Sequence, residues 1–596
     1  MILDRVKGPQ DLSDLTPREL RMLAAEIREV VVESVNRFGG HLGSNLGVVE
    51  LTIALHRSFS SPDDSLLWDT GHQVYPHKIL TGRVDGFATL RQAEGLSGYS
   101  CRDESEHDHI ENSHASTALA WAHGFAAAHR VHGGEDRDRR VVAIIGDGSM
   151  TGGMAFEGLN NLGHSGTDCL VVFNDNGRSY APTASHLSAG QGAPTGVDVD
   201  SPRPAFFEAL GMQYFGPYDG HDIDELERAF AEVRDLPGPR LVHVMTEKGR
   251  GYRPAERDMV KRLHDTSVMA PTSYTATFAN TLVDLGAQDP DLVAITAAMP
   301  DSTGLLDFGR AYPERFFDVG IAEQHAVTMA AGMALNGLRP VVAVYSTFMT
   351  RAFDQALYDV GLHRAPVVFC IDRAGITGDD GASHHGVMDM VLLSKVPGLT
   401  FLAPSSTAEL EAMLRFAVTG RDRPDGPIAI RWPKTAPPLD DDGRTGSGLR
   451  GRRLRDGREA CILAVGKMVE RATAAAELLH HVGVDATVWD VRCATPLDPD
   501  MLEDAASHPF VITIEDGLVD GGIGEAISAA LDARALADLG TPRPPVSVLG
   551  VPRRFLAHGK PDAILADLGL GAHHIADHVQ HLVATHVVPQ GAGASR

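Results

Sequence analysis

Two short stretches put oxygen-bearing side chains where they could hold a cation. In "VVAIIGDGSMTGG", residues 141–153, an apolar run reads as a buried strand entering a glycine turn, with Asp147 between Gly146 and Gly148. A dinucleotide site would need a third glycine at position 151, where Thr151 stands. A carboxylate facing a pyrophosphate also repels it unless a cation lies between them. A hard cation such as Mg²⁺ takes oxygens from one or two side chains, carbonyls, water and phosphate, so a second oxygen-bearing turn should follow. It does: the apolar run "DCLVVFNDN" ends in Asn174, Asp175 and Asn176, with 25 residues between Gly148 and Asn174. Neighbouring parallel strands would bring both turns to one carboxyl edge, where open α/β sheets bind ligands. Either turn alone is ordinary loop chemistry, because Gly, Asp and Asn favour turns; the pair predicts a cation site.

The elements that must position these turns are legible as an alternation of strands and helices. The first helix opens at "LTPRELRML", with Thr16 as N-cap, Glu19 closing a capping box and Pro17 at the first helical position, and it ends at Gly39–Gly40. "RVVAIIGDG", "DCLVVFND" and "RLVHVMTEKG" are short apolar runs separated by helical patterns, which predicts a parallel sheet covered by helices. A second series runs from "DLVAITAAM" to "PIAIRWPK", and a third from "EACILAVG" to "PVSVLG". The expected fold class is α/β, with three successive α/β domains of mainly parallel sheets. Their bounds are 1–272, 273–434 and 459–596, with 435–458 as a Pro-, Gly- and charge-rich linker. The tail "VVPQGAGASR" is expected to be disordered.

Composition narrows the function classes. A formal charge of −26 over 596 residues argues against wrapping nucleic acid or lying on an anionic membrane. It does not exclude anionic substrates, which a local Arg cluster would hold. No apolar run reaches the ~18 residues of a membrane span, and "MILDRVKGPQ" lacks the layout of a secretory signal; a cytoplasmic enzyme is expected. The five cysteines are scattered and never in C-x-x-C spacing, which indicates neither a disulfide framework nor a zinc site.

The G-D-G and N-D-N pair resembles the thiamine diphosphate motif. That resemblance implies Mg²⁺ held by Asp147, Asn176 and the carbonyl of Arg178. The cofactor's own amino group deprotonates its thiazolium only when a carboxyl group supports the aminopyrimidine, so a Glu on the second domain should face the diphosphate site. "FDVGIAEQHAVTMAAGMALNG" supplies Glu323 at a helix start, where a Glu could otherwise serve only the helix dipole. Longer strings carry a closer likeness: "WDTGHQVYPHKILTGR", "ESEHD", "GDGSMTGGMAFE", "TEKGRGYRPAE", "FDVGIAEQHAVT", "YSTFMTRAFDQ", "DRAGITGDDGASHHG" and "IRWP" occur in this order. Over nearly the whole chain the sequence resembles the 1-deoxy-D-xylulose-5-phosphate synthase family of transketolase-like enzymes.

The resemblance implies thiamine diphosphate-dependent condensation of pyruvate with D-glyceraldehyde 3-phosphate, with loss of carbon dioxide, in a homodimer. It assigns proton transfer and alkoxide stabilisation to His41, His72, His264 and His384, beside Glu323. Gly146, Gly148, Ser149, His72, His114 and Lys248 are implied on the cofactor's diphosphate side, and Phe348 against its pyrimidine. Tyr345, Arg351, Arg373 and Arg431 are implied at the acceptor's phosphate, where the planar Arg fork bonds two oxygens at once. Asp380 and His384 are implied at the acceptor's hydroxyl end, while His385 is expected to be incidental.

Two stretches are shorter than the family's. One covers "AGQGAPTGVDVDSPRPAFFEALG", expected to be a mobile loop at the site's mouth; the other is "MVKRLHDTSVMAPTSYT", in which Leu263 precedes His264. They leave two alternatives: a paralogue that decarboxylates pyruvate but takes another aldehyde, and a catalytically silent cofactor-binding protein. The joint retention of Asp147, Asn176, Glu323 and the histidines argues against silence.

Overall fold

In the first sheet, alternate residues of each strand feed two separate cores. The computed structural model describes residues 1–134, 139–187, 203–266, 269–438, 443–537 and 543–586. Positions 189–202 of the stretch expected as a mobile loop, and the tail 587–596, lie outside the described residues; the rest of that stretch is not a loop throughout but forms the helix Arg203–Ala209. The chain divides into two units, Met1–Val268 with Ala297–Asp301 and Asp318–Ala322, and Met269–Thr296 with Ser302–Phe317 and Glu323–Arg596.

The first unit is built on β1 (Ser65–Trp68), β2 (Val141–Gly146), β3 (Cys169–Asp175), β4 (Gln213–Asp219) and β5 (Pro239–Met245). They form one parallel sheet in the order β1-β2-β3-β5-β4. Val142, Ile144, Leu170 and Val172 pack into a core with the first helix, Pro17–Phe38. The residues between them, Val141, Ala143, Ile145, Val171 and Phe173, pack on helices Ala118–His132 and Gly153–Ser165. That two-sided burial is why these strands read as continuous apolar runs. The capping box at Thr16 and Glu19 is formed as expected.

The second unit holds two sheets. One contains β6 (Leu292–Thr296), β7 (Phe316–Asp318), β8 (Arg339–Tyr345), β9 (Val368–Asp372), β10 (Thr400–Leu402) and β11 (Ile428–Arg431). The other contains β12 (Arg452–Arg455), β13 (Ala460–Ala464), β14 (Ala486–Asp490), β16 (Val511–Leu518) and β17 (Val546–Val551). The short strand β15 (Cys493–Thr495) leaves this series to pair antiparallel with β10 at the edge of the preceding sheet. Each sheet has its own apolar core.

Two expectations are corrected. Arg452–Arg455, placed in the linker by its charge, forms β12 and pairs antiparallel with β14 at the sheet edge, where a half-solvated strand tolerates charged residues. The strand β4 was not expected, because Gly216 and Pro217 interrupt it and most of its side chains are exposed or half-buried.

Candidate functional site

In the first unit the two oxygen-bearing turns meet as their spacing predicted. β2 and β3 are parallel neighbours with Gly146 opposite Asn174, and the Asp147 N–H donates to the Asn174 carbonyl at 3.1 Å. Asp147 is buried; it accepts from the Asn176 N–H at 3.4 Å and from the Thr183 hydroxyl. Asn176 Oδ1 accepts from the Arg178 N–H at 3.1 Å, and the Arg178 guanidinium reaches the carbonyls of Met259 and Val260. Carboxylate, amide and carbonyl oxygens at one turn are the donor set of a hard cation, so these residues fit Mg²⁺.

Gly152 shows how tightly the neighbouring turn is built. A Cβ there would collide with Ser116 Oγ, which itself donates to the Ser149 carbonyl at 2.6 Å. Ser149 Oγ lies 3.3 Å from Thr70 Oγ1, and Thr151 Oγ1 accepts from the Ile321 N–H at 2.8 Å. Thr70 and Ser116 hold positive φ angles of 64° and 79°, strain of the kind that collects at ligand sites. His114 lies in the turn that leads to Ser116, its N–H bonded to Asn112.

Three of the expected histidines form one cluster, with His41 and His264 buried and His72 half-buried. The His264 ring lies 5.4 Å from His41 and 5.4 Å from His72, and His41 lies 5.7 Å from His72. His264 is carried there by backbone pairing: Leu42 N–H donates to the His264 carbonyl at 3.1 Å and Gly43 N–H to that of Leu263 at 2.8 Å. Lys248 Nζ lies 2.7 Å from His264 Nδ1 and also bonds the Ser179 carbonyl. Burial pushes Lys248 down to about 7, against the pull of Asp147. Burial likewise holds His72 and His264 well below the ordinary imidazole range, with the neighbouring cation and imidazoles adding to it. Both effects favour the neutral form of His72 and of His264.

Sequence reasoning missed the groups that line this cluster. Tyr180 lies 3.9 Å from the His264 ring, Tyr99 OH is 3.4 Å from His41 Nε2, and Ser44 Oγ is 3.4 Å from His264 Nδ1. Tyr180 and Thr183 follow N-D-N directly in sequence. Their approach depends on the chain doubling back through the Arg178 to Pro182 bridge, which spacing alone does not reveal.

In the second unit Glu323 begins the helix Glu323–Leu335 and is buried. Burial raises its carboxyl above the usual range, opposed by Arg351, whose Nη1 lies 3.7 Å away. Its Oε2 makes no hydrogen bond. A buried, undersatisfied carboxyl group fits the partner of an aminopyrimidine nitrogen. Phe348 stacks on Tyr345 at 5.7 Å and meets His384 edge-on at 5.7 Å, while the Arg373 guanidinium lies 4.2 Å from the centre of the Tyr345 ring. Arg373 also bonds Asp372 and the Ser302 carbonyl. These contacts join Glu323 with Arg351, and separately Phe348, Tyr345, Arg373 and His384.

Asp380 and Arg431 stand in ion pairs of their own. Asp380 lies 3.3 Å from Lys434. Arg431 is buried, with Nε on Asp389 at 2.7 Å and Nη1 on Asp516 at 2.6 Å; its Nη2 is buried without a hydrogen-bond partner. Elsewhere, Cys461, Asp504 and His508 bring possible metal-ligand atoms within 4.8 Å of one another. His508 is already bonded to Thr487 at 2.9 Å and to the Asp504 carbonyl at 2.8 Å, and Asp504 to Trp489 at 2.7 Å, which makes this a satisfied polar knot.

Comparison with known proteins places this arrangement. Residues 3–191 and 198–246 match the family model for 1-deoxy-D-xylulose-5-phosphate synthase. Residues 270–438 match the transketolase pyrimidine-binding domain and 449–575 the transketolase C-terminal domain. The chain is 45% identical to the 1-deoxy-D-xylulose-5-phosphate synthase of Frankia casuarinae, covering 98% of this chain and 95% of that one. It is 46% identical to the enzyme of that name from Thermobifida fusca, covering 98% of each. For the one from Mycobacteroides abscessus the figures are 44%, 98% and 97%. With names and coverage this consistent, the paralogue alternative is not favoured. The chain belongs to the 1-deoxy-D-xylulose-5-phosphate synthase family, thiamine diphosphate-dependent transferases of the transketolase type that condense pyruvate with D-glyceraldehyde 3-phosphate, releasing carbon dioxide, to supply isoprenoid synthesis.

Proposed function

We propose that this chain carries out the family's reaction with a divided set of residues: Asp147, Asn176 and the Arg178 carbonyl for Mg²⁺, and Glu323 for the cofactor's pyrimidine. The observation that carries the assignment is the Glu323 carboxyl group, buried, raised by its burial and left with an unbonded oxygen. Such a group is costly unless a ligand satisfies it. When bound, thiamine diphosphate supplies the electron sink that lets pyruvate lose carbon dioxide. Glu323 keeps a proton on a buried oxygen and offers it to a ring nitrogen. Gly146, Gly148, Ser149, His114 and Lys248 bind the diphosphate side, and Phe348 gives the ring a flat apolar face.

His41, His72, His264 and His384 hold or move protons in the reaction. Arg351, Arg373 and Tyr345, with the unpartnered Nη2 of Arg431, bind the acceptor's phosphate, and Asp380 accepts its hydroxyl. The domains run over 1–272, 273–434 and 459–596, with the linker shortened to the residues before β12. The enzyme is a cytoplasmic homodimer, which accords with its free cysteines. An apolar groove of about 820 Å³ beside Trp121, Phe125 and Met154 is a surface that a second copy would cover.

Product analysis by mass spectrometry, with pyruvate, thiamine diphosphate and Mg²⁺, tests the reading. A deoxypentulose phosphate should form only when D-glyceraldehyde 3-phosphate is added. Acetolactate or free acetaldehyde as the main product in the presence of that acceptor would overturn it.

A further inference from the structure

Residues 376–387 link β9 to the helix Asp389–Leu393 and carry Asp380 and His384, yet they contain almost no regular secondary structure. Much of what holds them in place comes from the last part of the chain, which supplies none of the residues assigned to the reaction. The Leu518 N–H, at the end of β16, donates to the Val387 carbonyl at 3.1 Å, and the Gly559 N–H to the Gly378 carbonyl at 3.4 Å. Lys560 Nζ lies 3.1 Å from both carboxylate oxygens of Asp379.

Between these contacts sits His385, beside the assigned His384 and itself buried. Its Nδ1 accepts the Thr377 N–H at 3.2 Å, and its Nε2 faces the Ala557 carbonyl at 3.3 Å. An imidazole that accepts at Nδ1 and donates at Nε2 is the neutral Nε2–H tautomer. Burial, which lowers the basicity of His385 against the opposing effect of Asp380, preserves that form. The ring thus ties the start of the loop to the 557–560 segment. A second tie lies below it: Gly375, at φ +72°, leaves room for the Asp516 carboxylate, which receives Arg431.

We propose that His385 and Lys560 are positioning residues that clamp the 376–387 loop to the C-terminal segment, so that this segment sets the affinity for the phosphorylated aldehyde through Asp380 and His384. The proposal rests on the assignment of Asp380 and His384 to the acceptor.

The test measures KM for each substrate and kcat in the full-length holoenzyme, together with hydrogen–deuterium exchange of the peptide covering the loop. His385→Ala removes the bonds to Thr377 and Ala557 and should raise KM for D-glyceraldehyde 3-phosphate by about tenfold, with KM for pyruvate within about twofold. Lys560→Ala breaks an exposed pair and should raise the same KM by about two- to threefold, while Lys560→Arg restores it. His385→Gln, which keeps one of the two bonds, should fall between His385→Ala and wild type. Loop exchange should accelerate in the same order.

Equal rises in both KM values, a raised acceptor KM with an unchanged loop, or a loosened loop with unchanged kinetics would each overturn the clamp. If His385→Ala does not fold, Lys560→Ala, at a solvent-exposed side chain, carries the test alone. Asp380→Ala separates the two layers of the argument. If it leaves the acceptor KM unchanged, the acceptor assignment fails and the clamp's role with it; if it raises that KM while the His385 and Lys560 variants do not, the clamp alone fails.

Discussion

Lys248 Nζ lies 2.7 Å from Nδ1 of His264, with both groups buried. A lysine held down to about 7 and an imidazole held well below its ordinary range suit each other: the nitrogen of the ring accepts, and the amine donates. With the amine as donor, Nδ1 is the acceptor and the proton of the neutral ring sits on Nε2. His264→Ala should lower kcat by about a hundredfold, the lower end for a lost general acid or base, with thiamine diphosphate affinity nearly unchanged in calorimetry. Turnover above about a third of wild type, against that hundredfold, would remove His264 from proton transfer. Lys248→Met should differ in kind by weakening cofactor binding as well, since it deletes a cation that interacts with Asp147.

The Asp147 carboxylate accepts from the Asn176 N–H and the Thr183 hydroxyl. Those two donors fix the direction of the carboxylate, as a metal ligand requires. Asp147→Ala should weaken Mg²⁺-dependent thiamine diphosphate binding by about a hundredfold or more, and Thr183→Val by about tenfold, the range in which oriented partners of metal ligands act. Calorimetric titration at fixed Mg²⁺ reads both, and a thermal melt checks folding. Wild-type affinity in Asp147→Ala would end the metal assignment.

For Glu323 the useful change is the smallest one. Glu323→Gln keeps the shape and the neighbouring Arg351 but removes the transferable proton. Cofactor binding should persist, and kcat should fall by about 10²- to 10⁴-fold, the range for a lost acid–base group. Near-normal turnover with Gln would mean that the buried carboxyl group serves folding only.

How much of this was legible depended on whether a residue's surroundings are local in sequence. Asp147 and Asn176 could be read because β2 and β3 carry them to adjacent positions by simple parallel pairing. Glu323 was legible as a helix start, but its buried state was not, since the packing around the helix comes from residues far away in sequence. Arg452–Arg455 looked like linker because nothing in its charge shows that β14 waits beside it. Tyr99, Tyr180 and Thr183 were missed for the same reason: each reaches the site by a turn of backbone that leaves no periodic trace. His385 was passed over because its two bonds run to Thr377 and to Ala557, the latter 172 residues on.

A last prediction concerns stability, and follows from Glu515 on β16. Burial raises its carboxyl from 4.5 to about 7, although the N–H groups of Gly524, at 2.8 Å, and Ile523, at 3.2 Å, favour the ionised form. Because the folded pKa is the higher one, the stabilising contribution is complete below about pH 4.5 and is lost as the pH rises through about 7. Above that the buried carboxylate costs up to roughly 3 kcal/mol. Glu515→Gln cannot ionise, but its single carbonyl oxygen forfeits one backbone hydrogen bond, worth about 1 kcal/mol at every pH. The variant should therefore melt below wild type at pH 5 and above it at pH 8. Parallel melting shifts at both pH values would show that Glu515 does not titrate in this range.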